Sequence, residues 1–288
     1  MAVRAHRALM LNLVTYPDFS RFEPPFAMHS RIARPSQRLA STLLTVGLVA
    51  WLTLLPALPA IAGNLPGHGQ LRSTLQAVVE EGNGGLGNPM WATVVDRDGF
   101  VQVVAFSGRR RGDQWPGSRA IAAQKANTAN AFSLPDRALS TANLYSAVQL
   151  GNPLYGLPSS NLVDTDVIYQ GPHQDIGTVR DPMVGQKSGG ICVFGGGLPL
   201  YDRRGNLIGG LGVSGDSACA DHNIAWKLRH ALNLDNVPNG VSPSGDDNII
   251  YDRSDGSSAS GWGHPNCSSA ATEIATQLPE THPVGPEQ

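Results

Sequence analysis

The chain carries Val-Val-Asp-Arg-Asp-Gly-Phe-Val at residues 94–101 and Leu-Tyr-Asp-Arg-Arg-Gly-Asn-Leu at residues 200–207. In each stretch an Asp-x-x-Gly turn joins two apolar runs, which is the pattern of a tight β-hairpin. Gly99 and Gly205 supply the positive φ that such a turn needs. An amphipathic helix pattern follows each hairpin within about twenty residues. The sequence therefore predicts two hairpin–helix units.

The remaining elements follow from apolar periodicity and from turn residues. The pattern predicts helices at residues 71–81, 118–132 and 217–232, and strands at 90–95, 100–106 and within 191–213. Residues 137–190 contain four prolines and only short apolar runs, so we interpret them as a long ordered insertion. An insertion of this length is unusual in a compact domain unless it covers a site or mediates assembly.

The N-terminal region has the layout of a secretory signal peptide. Residues 39–62 form an uncharged, mostly apolar stretch that follows three arginines and ends in Ala-Ile-Ala. Met28 is a better start than Met1, because it leaves a short basic region ahead of the stretch. A retained membrane anchor is the alternative, although two prolines interrupt the stretch near its end. We expect a signal peptide over residues 1–62, and a periplasmic or secreted protein without a stable membrane anchor that begins near Gly63.

Composition limits the partners of the exported part. The 226 residues after position 62 are enough for one domain with its own core. They carry 15 basic and 21 acidic side chains, a formal charge of −6, so we expect no nucleic-acid partner. We expect the domain to span residues 63–237. The polar residues 238–288, rich in Gly, Ser and Pro, should form a tail that wraps the surface.

The three cysteines have different expected roles. Cys219 and Cys267 lie in polar, loop-like surroundings, and export to an oxidising compartment favours a disulfide between them. Cys192 lies in Gly-Ile-Cys-Val-Phe, which is typical of a small buried side chain. No Cys-x-x-Cys or paired-His spacing indicates a metal site, so any metal ligand stays unknown. The other side chains that could serve as soft or imidazole ligands are His173, His264, Met90 and Met183.

A lysine interrupts an apolar helical face. Lys125 lies in the middle of the face formed by Ile121, Ala122, Ala129 and Phe132. A lysine in that place must extend to solvent, meet an anionic partner or line a wet cavity. In the functional interpretation its ammonium binds a ligand carboxylate.

Two segments near this helix supply further candidates. Residues 109–113, Arg-Arg-Arg-Gly-Asp, form a charged loop before it, and residues 212–215, Gly-Val-Ser-Gly, offer a backbone that a ligand can approach closely. Residues 210–215 also match the G-x-G-x-x-G pattern, but no strand is predicted after the next helix, so a dinucleotide fold is not expected. The predicted ligand-binding residues of these segments are Arg111, Asp113, Gly212, Ser214 and Gly215.

The last predicted helix opens with an acid and a histidine. Asp221 is in line with the apolar face, so it either stabilises the helix N-terminus or faces the site. His222 lies about 120° from the centre of that face and is expected to be exposed or flanking. Both are candidate ligand-binding residues.

Three segments together resemble the GlcG/HbpS-type haem-binding proteins. They are Met-Trp-Ala-Thr-Val-Val-Asp-Arg-Asp-Gly at 90–99, Gln-Lys-Ala-Asn-Thr-Ala-Asn-Ala-Phe at 124–132, and Gly-Gly-Gly-Leu-Pro-Leu at 195–200 continued by Leu-Ile-Gly-Gly-Leu-Gly-Val-Ser-Gly at 207–215 with Asp221 after it. The resemblance covers about residues 69–235. It implies a profilin-like α/β fold, an antiparallel sheet packed with helices, and a homo-oligomer.

The resemblance also implies a ligand, haem or a related tetrapyrrole. The family's Arg-x-Asp-Gly-Ala run is replaced here by Arg-Arg-Gly-Asp at 110–113, so a ligand contact transfers more directly to Lys125 than to Asp113. The insertion at 137–190 is longer than a minimal member needs. The first hypothesis is an exported haem-binding protein for sequestration, delivery or sensing. The second is an enzyme acting on a small carboxylate through Lys125, Asp221 and His222, and the third is an assembly protein.

Overall fold

The computed structural model describes residues 65–285. The expected signal peptide, the proposed start at Met28 and the expected mature terminus at Gly63 lie outside this range. Within the range, none of the helices combines the length and apolar character that crossing a bilayer requires.

The structure contains the predicted hairpins and helices, with small shifts at their ends. The order of elements is α1 (His68–Glu80), β1 (Trp91–Asp96), β2 (Val101–Phe106), α2 (Ser118–Phe132), α3 (Leu157–Ser160), α4 (Thr165–Ile168), β3 (Gly197–Tyr201), β4 (Leu207–Ser214), α5 (Ala218–Ala231), β5 (Arg253–Ser254), β6 (Ser257–Ser258) and α6 (Ser269–Thr281). Two 3₁₀ helices, Thr141–Leu144 and Ser146–Val148, lie in the insertion.

One four-stranded antiparallel sheet organises the chain, in the order β2-β1-β4-β3. Each predicted hairpin forms one half of it, and β1 pairs with β4 in the centre. The two turns are alike, because Asp96 accepts hydrogen bonds from the backbone of Asp98 and Phe100. In the second turn Asp202 accepts hydrogen bonds from the backbone of Arg204 and Asn206. The expected class, a sheet packed with helices, is confirmed.

Helices cover both faces of the sheet. Helices α1 and α5 lie on one face, and α2 with part of the insertion lies on the other. The first face is filled by aliphatic side chains and one tryptophan, all of them 3% exposed or less: Leu71, Leu75, Val94, Leu211, Ile224, Trp226 and Leu228. The second face is built around Trp91, which is 1% exposed.

Helix α2 lies unusually close to β4. A Cβ atom added at Gly212 would lie 1.9 Å from the carbonyl oxygen of Ala122, and one added at Gly210 would lie 2.3 Å from that of Ala126. Small side chains on both elements permit this approach. Our expectation that Ile121 belongs to the core face is therefore wrong, since it is 37% exposed and alanines form the buried stripe.

The C-terminal segment is more structured than a polar wrapping tail. Helix α6 packs on α5 through Ala271, Ala275 and Leu278, which are 1% exposed or less. A fully buried ion pair at 2.7 Å joins Arg229 of α5 to Asp247. The predicted Cys219–Cys267 disulfide is present. Cys219 itself is fully buried at the start of α5, so the expectation of loop-like surroundings for it is wrong.

Candidate functional site

The predicted site residues fall into two places. Lys125, Asp221 and the end of β4 come together between α2 and α5. Arg111 and Asp113 lie in the loop between β2 and α2. Each of them lines a separate cavity.

Lys125 has found an anionic partner within the protein. Its Nζ lies 2.6 Å from Oδ2 of Asp221 and donates a hydrogen bond to the carbonyl oxygen of Val213 at 3.1 Å. The residue is 1% exposed. Of the three possibilities that the sequence left open, the structure shows the ion pair. A ligand contact through Lys125 stays a prediction.

Asp221 serves the helix start and the ion pair together. It lies in the first turn of α5, after the N-cap residue Ser217, and its Oδ1 accepts a hydrogen bond from the backbone of Asp216 at 2.9 Å. Burial raises the pKa of Asp221 to about 6, although the nearby Lys125 ammonium opposes the rise. The carboxylate therefore depends on Lys125 for its charged form.

His222 is buried, so the expectation of an exposed or flanking histidine is wrong. Its Nε2 accepts a hydrogen bond from the backbone of Ile249 at 3.1 Å, and no described residue contacts its Nδ1 with a hydrogen bond. Burial lowers its pKa to about 3. The residues that cover it belong to the C-terminal segment, 27 positions away. The apolar periodicity of α5 cannot predict that a distant segment of the chain packs over His222.

A second histidine is buried near the same corner. His264 donates from Nδ1 to the carbonyl oxygen of Pro265 at 2.8 Å and accepts at Nε2 from the backbone of Gly195 at 3.3 Å. Burial lowers its pKa to about 4. Lys125, Asp221 and His222 are each 2% exposed or less. The acid–base alternative thus has no solvent-accessible group among these three.

The glycine-rich end of β4 is enclosed by protein. Gly212 contacts α2, Ser214 is 4% exposed and pairs with Trp91 in the sheet, and a Cβ at Gly215 would lie 2.7 Å from the carbonyl oxygen of Pro89. The close backbone approach that we predicted for a ligand is made by α2 at Gly212. Ligand contacts at these three residues stay predictions.

Arg111 lines a cleft that the sequence did not reveal. This cleft, which we call the Trp91 cleft, has a volume of about 410 Å³. It lies between the start of α2, the loop before it and residues 168–177 of the insertion. Its lining residues are Trp91, Arg111, Gly112, Pro116, Arg119, Ala120, Ile168, Tyr169 and Ile176.

The floor and the rim of the Trp91 cleft differ in chemistry. Trp91 forms the floor, held by a hydrogen bond from Nε1 to the carbonyl oxygen of Trp115 at 3.1 Å and by edge contact with Phe106. Tyr169, which is 74% exposed, stands at the mouth. The site is therefore an aromatic and aliphatic slot that opens to solvent.

The cleft contains two arginines, of which one is neutralised. Arg119 forms a buried ion pair with Asp181. Arg111 donates to the carbonyl oxygen of His173 at 2.9 Å and is exposed, and within residues 65–285 it has no carboxylate within 4.0 Å. The cleft thus offers one uncompensated guanidinium, at the end nearest the loop before α2.

Asp113 has a local structural role. Its Oδ2 accepts a hydrogen bond from the backbone of Arg110 at 2.8 Å, which closes the loop. It also lines a separate, more open cavity of about 540 Å³ beside Ser107, Arg109 and Arg110.

The side chains that could ligate a metal ion differ in their exposure. Residues 65–285 hold no group of three or more His, Cys, Asp or Glu side chains that could bind a metal ion by themselves. Of the ligands named from the sequence, Met90 and Met183 are fully buried and His264 is 2% exposed. His173 is exposed and lies in the part of the insertion that borders the Trp91 cleft.

Comparison with known proteins identifies the family. Residues 69–228 match the family described as haem-degrading protein HbpS-like, so the chain belongs to the HbpS-like family and the resemblance is confirmed. No curated protein matches the chain.

Three solved structures are among those similar to the chain. A crystal structure of a PduOC–haem complex is 29% identical and covers 59% of this chain and 96% of its own, with a TM-score of 0.41. The protein ORFY of Klebsiella pneumoniae is 24% identical over 57% of this chain and 85% of its own, with a TM-score of 0.38. HbpS is 20% identical over 57% of this chain and 85% of its own, with a TM-score of 0.36.

Proposed function

We propose that the protein binds haem or a related tetrapyrrole in the Trp91 cleft. The observation that carries the proposal is the pairing of an aromatic floor with one uncompensated arginine, Arg111, at the end of the same slot. Haem combines a large, flat apolar ring with two carboxylates at one edge. The haem-related description of the family supports this choice of ligand.

The donor set of the cleft suits such a ligand. A volume of about 410 Å³ lies in the range of small-molecule sites. In the proposed arrangement the wall side chains, chiefly the exposed Tyr169, hold the ring above the buried Trp91. Arg111 binds a carboxylate, and His173 is the accessible imidazole closest along the chain to the lining residues. Bound haem would supply a redox-active iron. The residues of the chain bind the ring, orient its edge and exclude water from one face.

Titration with haemin tests this proposal. A saturable change in the visible spectrum of haemin, with quenching of tryptophan fluorescence at equal stoichiometry, is expected. Haemin dimethyl ester, which lacks the free carboxylates, should bind parent protein about ten- to hundredfold more weakly, because a charge-assisted contact contributes about 1.5–3 kcal/mol. Arg111→Ala should bind both ligands with equal, reduced affinity. Absence of a spectral change with parent protein would reject the proposal.

We further propose that the protein works outside the cytoplasm, for haem sequestration, delivery or sensing. The signal-like residues 39–62 and the Cys219–Cys267 disulfide support export, since disulfides persist in oxidising compartments. N-terminal sequencing of the protein from periplasm or medium should give a start near Gly63. A start upstream of residue 39, with the protein in the membrane fraction, would refute the export proposal.

We also propose that the protein self-associates through the insertion. Large apolar side chains outside the Trp91 cleft are exposed there, each at 37% or more: Leu150, Tyr155, Leu162, Val179 and Val184. A contiguous apolar patch indicates an interaction surface, and the proposal is that these side chains form one. Sedimentation should show an oligomer that Leu150→Asp with Leu162→Asp converts to monomer. A monomeric parent protein at high concentration would exclude this proposal.

A further inference from the structure

One buried ion pair lies where the outer wall of the Trp91 cleft meets α2. The wall, residues 168–177, supplies the lining side chains Ile168, Tyr169 and Ile176. Arg119, in the first turn of α2, forms a two-point ion pair with Asp181, with Nη2 to Oδ1 at 2.5 Å and Nε to Oδ2 at 3.1 Å. The two side chains are 7% and 0% exposed.

Both members of this pair also bind the backbone of the wall. Nη1 of Arg119 donates to the carbonyl oxygen of Ile168 at 2.6 Å, where the wall begins. Oδ2 of Asp181 accepts from the backbone of Gly177 at 2.6 Å, where the wall ends, and Oδ1 accepts from that of Met183 at 2.9 Å. The pair therefore connects the two ends of the wall to each other and to α2.

The far end of the wall is seated on the cleft floor. Gly177 has a φ of 77°, and a Cβ added there would lie 2.4 Å from the ring of Phe106 and 2.8 Å from that of Trp91. Gly177 thus lies directly against Trp91, which forms the floor, and its neighbour Phe106. Its position relative to the floor fixes the width of the slot at this end.

We infer that Arg119 and Asp181 are the positioning residues of the cleft, which set the distance between its wall and its floor. The inference rests on the proposed ligand site. The two charges cancel each other, so Arg119 lines the slot without offering an anion site, and Arg111 alone selects the carboxylate edge of the ligand. Buried ion pairs are weak contributors to stability compared with apolar residues of similar size. The geometry of this pair points to placement of the wall.

A double variant separates positioning from stability. Arg119→Met with Asp181→Leu removes the charges together, so no buried charge is left unpaired, and it removes the three backbone contacts. We expect haemin affinity to fall at least tenfold and amide hydrogen exchange of residues 168–183 in ligand-free protein to increase. The matched control is Arg229→Met with Asp247→Leu, which removes an ion pair that is 0% exposed on both sides and lies between α5 and the C-terminal segment. This control should leave haemin affinity and the hydrogen exchange of residues 168–183 unchanged.

A conservative variant covers the case in which the double variant does not fold. Arg119→Lys keeps the charge beside Asp181 but has no second nitrogen for Ile168. It should increase exchange at the start of the wall and weaken haemin binding by a smaller factor than the double variant.

Three outcomes decide the inference. Haemin affinity and exchange equal to those of the parent in the Arg119 variants would overturn it. Equal weakening by the two double variants would also overturn it, because the effect would then be general destabilisation. If parent protein binds no haemin but exchange of residues 168–183 rises only in the Arg119 variants, the positioning role is supported and the proposed ligand alone is rejected.

Discussion

Lys125 of α2 and Asp221 of α5 form an ion pair at 2.6 Å that joins helices on opposite faces of the sheet. The chain passes between them at Gly196, where a Cβ would lie 3.0 Å from the lysine Nζ and 2.8 Å from the aspartate Cβ. The pair thus belongs to the packing of the fold at the point where β3 begins.

Removal of Lys125 should destabilise the protein strongly. Lys125→Met leaves the carboxylate of Asp221 buried without its cation, and breaking a buried pair in this way costs about 3–5 kcal/mol of unfolding free energy. Chemical denaturation measures this value. The double variant Lys125→Met with Asp221→Leu should recover most of the loss, because no buried charge remains. A single variant as stable as the parent would contradict the structural role of the pair.

Stability should decrease as the pH falls from about 6.5 towards 4. His222 and His264, with pKa values lowered to about 3 and about 4, stay neutral in the folded chain but take up protons in the unfolded chain below about 6.5. Each contributes a loss of up to about 1.4 kcal/mol per pH unit. Asp221 opposes this between pH 6 and 4, since its raised pKa makes the folded chain bind a proton first.

His264→Gln tests the pH dependence. The amide can still accept from Gly195 but does not titrate, so the slope of unfolding free energy against pH should decrease by about 1 kcal/mol per unit between pH 4.5 and 6. His173→Gln is the control, because His173 is exposed. An unchanged slope in His264→Gln would show that this histidine is not responsible.

Loss of the disulfide should lower stability without releasing the C-terminal segment. The cysteines are 48 residues apart, a separation for which a disulfide contributes about 3–4 kcal/mol. Cys267→Ser should show this loss, and a reductant should affect the parent equally but the variant no further. The Arg229–Asp247 pair and helix α6 should keep the segment docked, so limited proteolysis of the folded variant should spare it. Rapid cleavage within α6 would contradict this prediction.

The contact between α2 and β4 should not tolerate one added methyl group. Gly212→Ala places a Cβ 1.9 Å from a backbone carbonyl oxygen of α2, so the helix must move, at a cost of about 3 kcal/mol or more. Gly69→Ala in α1 is the matched control, since no atom lies within 4 Å of its added Cβ, and it should stabilise by up to about 1 kcal/mol. Equal melting temperatures for the two variants would contradict the packing described.

The sequence predicted what local patterns determine. Alternating apolar residues around Asp-x-x-Gly turns located both hairpins, and Lys125 was placed on a buried face. Its partner Asp221 lies 96 positions away on another helix, a pairing that no spacing rule contains. Helix α6 was missed because the prediction for residues 238–288 rested on their overall Gly, Ser and Pro content, although Ala271, Ala275 and Leu278 recur at helical spacing within them.

The Trp91 cleft could not be predicted from the sequence for a related reason. Its lining comes from three separate segments, one strand, one loop with the start of a helix, and one part of the insertion. Of the lining residues, the sequence predicted only Arg111 as a ligand-binding residue, because it lies in a charged loop. The burial of His222 under Ile249 is a tertiary contact of the same kind.

The central claim is that the ligand occupies the Trp91 cleft, and blocking that cleft tests it most directly. Ile176→Trp fills this cleft, whereas Ala147→Trp fills a cavity of similar volume, about 380 Å³, lined by Leu144, Leu154 and Trp262. The measurement is the haemin dissociation constant from visible titration of the parent and both variants, each confirmed as folded. We predict a loss of affinity of at least tenfold for Ile176→Trp and none for Ala147→Trp. Unchanged affinity in Ile176→Trp, or a loss confined to Ala147→Trp, would contradict the account.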